Sequence, residues 1–484
     1  MSRAALPAGL AFALALAALT PAAAQASAPA GPSMSAPLPE ARAAAGPPLM
    51  GPPAPDPVAG DSSVVVVNPA TYGPPSPRAA HGRVAQVDWP RAPAPVPPAL
   101  EEAINIVTRT YPSTGSARAA LRAAASDLKA ARLQWLPTLS ANAVAYNTRR
   151  RNVDGRFTPQ LLIEQPIWSG GRIESSIRRA HAGEDASSAQ YVETVNDLAL
   201  TTTQTYFDIV RLTQREQLLI ASLREHQRLV DTIERRTRQE VSPLADLELA
   251  RSRTAQVEQD LNATHAQRLI SLRIMAQLVA DTRFDVGPIP YYDPTIDLAA
   301  PDALEEQAAV YSPELRRLRA DVAIARAELS ARRAALMPQL GAQYSYDEYY
   351  GHRVGAIVRV QNDATQIPQV NAARARITQA EDDRRASEEQ LRREVASDLI
   401  QFRSSRIQAR VGHEAAVTAV AVSESFMRQY IAGRRSWLDV MNQLREAVNA
   451  QIAESDAEVA AMAGATRLTI ESGRWRPTFD GAGS

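Results

Sequence analysis

The sequence predicts a mostly α-helical chain with a small β part, built as two copies of one unit. Alanine dominates the 45% of residues that are apolar, and aromatic residues make up only 5% of the chain, which favours helices over a large compact core. Short runs of alternating apolar and polar residues precede two helical stretches of roughly sixty residues each. Similar segments recur about 200 residues apart, too long a period for a solenoid and typical of a duplicated domain.

Three pairs of matching segments define the duplication. "ALEE" begins at Ala99 and again at Ala303, "AARLQWLPTLSANAVAY" matches "ARRAALMPQLGAQYSY", and "VSPLADLELARSRT" matches "RRSWLDVMNQLREA". The alignments place Pro137 opposite Pro338 and Asp246 opposite Asp439. We therefore predict a first repeat at 99–290, a second repeat at 291–475 and a C-terminal tail at 476–484.

The N-terminal residues have the composition of an export signal. Arg3 precedes the apolar segment Leu6–Leu19 and the small residues Ala22–Ala24, which predicts a signal peptide over 1–24. An anchoring helix is the alternative, but Pro7 and Gly9 interrupt the apolar run. Residues 25–98 are rich in proline and alanine and are predicted to be a disordered linker.

Composition excludes several kinds of chemistry. The chain has no cysteine, which rules out disulfides, thiolate metal sites and a lipidated N-terminal cysteine. Its formal net charge is zero, so nothing in the bulk charge indicates nucleic acid binding. The six histidines are scattered without metal-ligand spacing, and no phosphate loop or nucleophile motif is found, so we expect no cofactor and no enzyme.

Alternation with period two predicts strands within 156–168, 339–350 and 353–360, with a further strand after Pro137. Each run of about 9–12 residues is long enough to cross a bilayer at a tilt. The same pattern fits a sheet over a soluble core and a barrel with an apolar exterior and a wet lumen. Aromatic residues at the strand ends would suit a membrane interface. They are Trp168, Tyr346, Tyr349 and Tyr350.

Each pair of strands leads into a long helix and a returning helix. The first long helix is predicted from Arg172 to Glu240 and the second from Pro368 to Tyr430. In the first, apolar and threonine residues follow the 3–4 spacing of a coiled-coil seam, namely Val195, Leu198, Thr202, Thr205, Ile209 and Leu212. We expect Ser242 to cap the first returning helix, with Pro243 in its first turn. A single helix is expected before each strand pair, ending at the Leu-Pro or Met-Pro step.

Four strands are too few to close a transmembrane barrel, which needs at least about eight, so several copies of the chain would have to complete one. Three copies would supply twelve strands and a matching tube of helices. In that arrangement the strands cross a membrane, and Gly170-Gly171 permits the sharp change from barrel to tube.

The junction "LIEQPIWSGGRIESSIRRA", the repeated Leu/Met-Pro helix ends and the hairpin "YIAGRRSWLDVMNQL" resemble the TolC-type outer membrane factors over roughly 99–475. The resemblance implies a homotrimeric α/β channel-tunnel in the outer membrane, with four strands per chain in a 12-stranded barrel and a periplasmic barrel of long helices. It implies the exit duct of a tripartite efflux pump or a type I secretion system, in contact with outer membrane lipid. The partners would be a periplasmic adaptor (membrane fusion protein) and an inner membrane ABC or proton-driven transporter.

The resemblance also implies functional residues. The periplasmic gate would comprise Tyr430, Arg435, Asp439 and Asp246. The hairpin tips that contact the adaptor would include Gly433, Ser242 and Pro243. The junction between barrel and tunnel would comprise Pro137, Pro166, Trp168, Gly170, Gly171 and Pro338. Three copies of Asp439 around a narrow axis would favour cations, while Arg435 would tie neighbouring helices together. Alternatively, Asp439 only stabilises a helix start beside Ser436.

The sequence departs from the family pattern in three places. Asn442 stands where some members carry a second acid, and Glu240 replaces the usual tip glycine, so Ser242-Pro243 is expected to form that turn. The second repeat lacks the Pro-x-Trp-x-Gly-Gly junction, and Pro368 is expected to form the bend there. Protein secretion is slightly preferred over small-molecule efflux, because the first tip is similar to exporters of large adhesins. The alternative from another class is a periplasmic coiled-coil adaptor or scaffold.

Overall fold

The computed structural model describes residues 96–477, except 146–156, 282–283, 285, 297, 299, 348–350 and 361–364. The predicted signal peptide, most of the linker and most of the C-terminal tail lie outside these residues. The elements are α1 (Pro98–Thr110), α2 (Pro112–Leu133), β1 (Thr138–Ala145), β2 (Phe157–Trp168), α3 (Arg172–Arg238), α4 (Leu244–Val279), α5 (Pro301–Tyr311), α6 (Pro313–Ala334), β3 (Gln339–Asp347), β4 (Gly351–Arg359), α7 (Gln366–Ile431) and α8 (Trp437–Glu471).

The order of elements in the first half, two short helices, two strands and two long helices, recurs in the second half. Pro137 and Pro338 lie immediately before β1 and β3, as the sequence alignment predicts. The prediction of one helix before each strand pair was wrong, because each half has two. Pro112 and Pro313 start the second helix of each pair, and the extended conformation forced on Tyr111 and on Ser312 ends the first.

The strands form one antiparallel sheet in the order β1-β2-β3-β4. Its register separates an apolar face from a polar face, which confirms the predicted alternation. The apolar face carries Leu139, Leu161, Ile163, Leu340, Ala342, Tyr344, Tyr346, Val354, Ala356 and Val358. The polar face carries Ser140, Asn142, Gln160, Glu164, Gln343, Ser345, Asp347, Arg353 and Arg359. Exceptions are Leu162 and Ile357 on the polar face, and Gln165 and His352 on the apolar face.

A bulge in β2 changes the face on which the last residue of that strand lies. Pro166 pairs with Gly341, but Trp168 pairs with Leu340, so Ile167 is the extra residue. The bulge places Trp168 beside the apolar face, where its side chain is 46% exposed. Tyr349 and Tyr350, expected at the other end of the sheet, lie outside the described residues.

Helix α3 is the centre of the helical part. It has 67 residues, which corresponds to about 100 Å of continuous helix. In the half of α3 near the sheet, α2 and α6 pack against α3, and α7 packs against α6. In the half near the hairpin tips, α4 and α8 pack against α3, and α7 packs against α8. Both halves of the shaft are therefore rows of four helices with α7 at one edge. No helix among the described residues is long and apolar enough to cross a membrane.

The predicted coiled-coil seam of α3 is confirmed, since all six seam residues are buried. Two of them, Leu198 and Ile209, belong to the main apolar cluster, which also contains residues of α1, the end of α4 and part of α8. Within it, the rings of Tyr206 and Phe207 meet edge to face, with centroids 5.4 Å apart. The core is thus a set of narrow helix-to-helix contacts.

The junction between β2 and α3 is closed by residues of both repeats. Gly170 has φ +62° and Gly171 has φ +93°, a backbone region that favours glycine. A Cβ atom on Gly170 would lie 2.6 Å from Cβ of Met337 and 3.3 Å from the carbonyl oxygen of Pro338. The Gly-Gly step of the first repeat therefore packs directly against the Met-Pro step of the second. On the second-repeat side, α7 begins at Gln366, with Pro368 in its first turn.

We expect Gly170→Ala to destabilise the protein by about 2 kcal/mol, because the methyl group clashes and the positive φ is unfavourable. The matched control is Gly183→Ala within α3, where no atom lies within 4 Å of the added Cβ. That change should stabilise the helix by about 0.5–1 kcal/mol. Thermal unfolding in detergent, followed by circular dichroism, measures both, and equal stabilisation by the two substitutions would contradict this account of the junction.

Candidate functional site at the hairpin tips

The turns at the two hairpin tips have the same backbone conformation. After α7, Gly433 has φ +72° and the amide of Arg434 donates to the carbonyl of Gln429; after α3, Glu240 has φ +61° and the amide of Val241 donates to the carbonyl of Arg236. Both are Schellman-type helix ends. The expectation that Ser242-Pro243 makes the first turn was therefore wrong, because Glu240 itself takes the left-handed conformation of the missing glycine.

The returning helices confirm the alignment of the two aspartates. Asp246 is the third residue of α4 and Asp439 is the third residue of α8, so both lie in a first turn. Their caps differ. The hydroxyl of Ser436 accepts from the amide of Leu438 at 3.2 Å. In α4 the cap position belongs to Pro243, so the prediction that Ser242 caps this helix was wrong.

One apolar cluster, which we call the tip cluster, joins the ends of all four long helices. It comprises Leu229, Ile233, Leu247, Ala250, Tyr430, Trp437, Val440 and Met441. Tyr430 is only 2% exposed, and the guanidinium of Arg236 lies 4.7 Å from the centre of its ring. Within the described residues the Tyr430 hydroxyl has no hydrogen-bond partner. The first and second hairpins are thus packed together at their tips.

Arg435 links α7 to α8. Its guanidinium lies 3.8 Å from the centre of the Phe426 ring, and its Nε donates to Oε1 of Gln429 at 3.3 Å. Its Nη1 is 3.8 Å from a carboxylate oxygen of Asp439. Asp439 is therefore the partner of Arg435, while Ser436 supplies the helix cap. The carboxylate also lies in the first turn of α8, where the helix dipole favours negative charge, as the alternative role at a helix start predicts.

The structure brings most of the predicted gate residues together. Tyr430, Arg435 and Asp439 surround the same turn, and Asp246 directly precedes Leu247 of the tip cluster. Sequence reasoning missed Arg236, Phe426 and Trp437. Arg236 lies in the charged run "ERRTRQE", a pattern typical of a solvent-exposed helix face, so nothing in the sequence indicates its contact with Tyr430. Trp437 could have been predicted, because an aromatic residue directly after the cap residue Ser436 is a signal of burial at the helix start.

Electrostatic environments differ between the tips and the helix interior. At the first tip, a hydrogen bond from Arg238 lowers the pKa of the exposed Glu234 carboxyl. Deeper in the shaft, burial lowers the pKa of His226, whose Nδ1 is 2.9 Å from the Ser222 carbonyl oxygen. At the far end of α8, burial raises the pKa of Glu471 to about 7, although Arg467 opposes the shift. No group of three or more His, Asp or Glu side chains in the described part of the chain is placed to hold a metal ion.

These features define a helical-hairpin protein with a four-stranded sheet, the fold of outer membrane channel subunits. Residues 109–280 match the model of the outer membrane efflux protein family. The resemblance to the TolC-type outer membrane factors is thereby confirmed, by sequence over that segment and by fold over most of the described chain. No curated protein sequence shows a significant match.

Several solved structures share the fold. The outer membrane protein VceC of Vibrio cholerae has a TM-score of 0.68 and 17% identity, covering 77% of this chain and 96% of that one. The open state of the MtrE outer membrane channel of Neisseria gonorrhoeae has a TM-score of 0.65 and 16% identity, covering 78% and 89%. The Campylobacter jejuni CmeC outer membrane channel has a TM-score of 0.64 and 14% identity, covering 78% and 86%.

The two tip turns offer a matched pair of substitutions. Glu240→Gly should stabilise the first turn by about 0.5 kcal/mol. The free-energy cost of a positive φ at glutamate is larger than the entropic cost of ordering a glycine, so its removal gives a net gain. Gly433→Ala should destabilise the second turn by about 1 kcal/mol, because alanine is unfavourable at a positive φ. No steric clash adds to this cost, since no atom lies within 4 Å of the added Cβ. Apparent melting temperatures of the two variants should shift in opposite directions, and shifts of the same sign would refute the equivalence of the turns.

Proposed function

We propose that this protein is the outer membrane channel-tunnel of a tripartite export system. The observation that carries the proposal is a four-stranded sheet with one exposed apolar face, joined through the short turn 169–171 to a helix of tunnel length. The fold shared with outer membrane channels and the family match of residues 109–280 support it. The function is passive transport rather than catalysis. The partners would be a periplasmic adaptor and an inner membrane transporter.

The dimensions of the sheet support its placement in the outer membrane. Strands pack against neighbouring strands rather than against helices, and the apolar side chains Val354 and Val358 are 83% and 65% exposed. Along β3, Tyr346 lies six positions after Leu340, the partner of Trp168, which is about 20 Å of strand. An apolar band of about 25 Å with aromatic residues at both edges is typical of outer membrane barrels.

Unpaired edges support the assembly of several copies. Strands β1 and β4 each have one neighbour in the sheet, and their free backbone groups need partners within a membrane. In the shaft, the edge helices α4 and α7 carry exposed apolar residues at matching depth. Leu269 and Ile274 lie 25 and 30 residues after the start of α4, and Ile407 and Ile400 lie 24 and 31 residues before the end of α7. A homotrimer in which α4 contacts α7 of the next copy would provide partners for both the strand edges and the helix edges.

The hairpin tips are the proposed gate. Closure would bring three copies of the tip cluster around one axis, with Asp439 as a ring of like charge and Arg435 holding α7 to α8. Gly433, Ser242 and Pro243 lie on the outer turns, where an adaptor would dock. At the other end, Pro166, Trp168 and the Gly170-Gly171 step would mark the passage from barrel to tunnel, with Pro137 and Pro338 as the matching helix ends.

The cargo is a finer question within the same proposal. Protein secretion through a type I system is our preferred assignment, on the likeness of "EVSPLADLELARSR" to adhesin exporters. Small-molecule efflux is the alternative. Genomic neighbours separate the two, since an ABC transporter with a large repeat protein indicates secretion and a proton-driven pump indicates efflux. The adaptor alternative explains neither the two complete hairpin units nor the exposed apolar sheet face.

Electron microscopy of the detergent-extracted protein tests the proposal as a whole. We expect a threefold tube about 100 Å long or more, with a detergent belt at one end. Gel filtration with and without detergent is the control for membrane insertion. Soluble particles that need no detergent, or rods without a belt, would disprove the channel and favour an adaptor.

Single-channel recording in planar bilayers tests the gate. Asp439→Ala should reduce the preference for cations, because it removes three acidic groups from the narrowest part of the axis. Arg435→Ser should raise the conductance, because it releases α7 from α8. Glu424→Ala, which removes an exposed acid of α7 away from the turn, is the control and should change neither property. Unchanged selectivity in Asp439→Ala would leave only a structural role for that carboxylate.

A further inference from the structure

A cross-strand ion pair on the polar face of the sheet carries an inference about charge selectivity, which rests on the proposed channel function. Glu164 in β2 and Arg359 in β4 are on different hairpins, 195 residues apart in the sequence, with β3 between them. Two hydrogen bonds of 3.1 and 3.2 Å join the guanidinium to the two carboxylate oxygens. This bidentate geometry fixes both charges to one place.

The register explains how side chains on non-adjacent strands meet. Glu164 is opposite Gln343, and Arg359 is opposite Gln339, so both lie on the same polar face but four residues apart along β3. The residue between these positions on that face is Gly341, which has no side chain. A Cβ there would lie 3.2 Å from the Gln165 carbonyl oxygen and 3.4 Å from Ile357 Cγ2. The same Cβ would lie 3.8 Å from Cγ of Glu164, so the acidic side chain itself extends over the bare backbone of Gly341 towards Arg359.

The pair is accessible to solvent and lies at the end of the sheet nearest the helices. The side chain of Arg359 is 51% exposed and that of Glu164 is 27% exposed. Such a pair adds little to stability, since exposed ion pairs contribute about 0–1 kcal/mol. Its stronger effect is on the local electric field, because each arginine is neutralised by a carboxylate of the same chain.

We propose that Glu164 sets the ion selectivity of the sheet end of the duct by neutralising Arg359. In a barrel of three copies with the polar face inward, six charges form a ring of three neutral pairs. Removal of Glu164 would leave a ring of three arginines at the passage between barrel and tunnel. Three unit charges about 10 Å from a water-filled axis, in about 0.1 M salt, change the ratio of cation to anion permeability by about fivefold.

Reversal potentials of the full-length protein in planar bilayers, under a KCl gradient, test this assignment. Glu164→Gln should lower the ratio of K⁺ to Cl⁻ permeability by about fivefold, and Arg359→Gln should raise it by a similar factor. The double variant should return to the wild-type ratio, because it removes both rings at once. Glu164→Asp, which keeps the charge, is the control and should retain most of the wild-type selectivity.

The outcomes separate this inference from the proposed function. If the wild-type protein forms no channels, the channel proposal fails and this inference fails with it. If channels form and both single variants keep the wild-type permeability ratio, the role of Glu164 is refuted while the channel stands. If Glu164→Gln does not assemble, Arg359→Gln decides alone: a rise in cation preference supports the pairing, and an unchanged ratio refutes it.

Discussion

The uninterrupted course of α3 is the constraint on which the rest of the structure depends. One helix must serve as the neighbour of α2 and α6 near the sheet and of α4 and α8 near the tips. A kink anywhere along it would move one row of four helices relative to the other. The sequence meets this requirement with no proline between Pro166 and Pro243, and Gly183 is the single glycine inside the helix. The distance from the sheet to the hairpin tips is thereby fixed by the length of one helix.

The second consequence of this arrangement is that one chain is incomplete. A row of four helices has two open edges, and a sheet of four strands also has two. In a single chain these open edges extend from the strands to the hairpin tips. The described chain buries its seam residues against its own helices but leaves apolar residues of α4 and α7 exposed at equal depth. Assembly of several copies into a closed ring would pair all of these edges. A soluble adaptor with a single hairpin has no such edges to pair. The edges, more than the length of the strands, favour a channel.

Sequence patterns predicted the elements whose causes are local or strictly periodic. The strand faces, the seam of α3, the Pro137 and Pro338 steps and the equivalence of Asp246 and Asp439 follow from period or alignment. The errors have other physical causes. The break before Pro112 was overlooked although Tyr111-Pro112 is the same kind of helix-ending step as those recognised at Pro137 and Pro338. The turn at Glu240 was misassigned because glycine was taken as necessary for a positive φ, whereas the Schellman hydrogen bonds hold a glutamate there. The bulge at Ile167 and the contact of Arg236 with Tyr430 depend on partners distant in the sequence, which no single-chain pattern reveals.

The charged residues of the proposed duct follow a common arrangement at its two ends. At the tip, Asp439 lies beside Arg435 of the same chain, and in the sheet, Glu164 is held by Arg359. At the tip the guanidinium also lies against the Phe426 ring, and in the sheet it is held by the two hydrogen bonds to Glu164. In both places the acid determines how much of the arginine charge is neutralised. The tip pair is separated by 3.8 Å and the sheet pair is bidentate, so the acid is more fully neutralised in the sheet. Asp439 is also the more exposed of the two carboxylates, at 48% against 27% for Glu164, so in the proposed duct it would act more strongly on a passing ion.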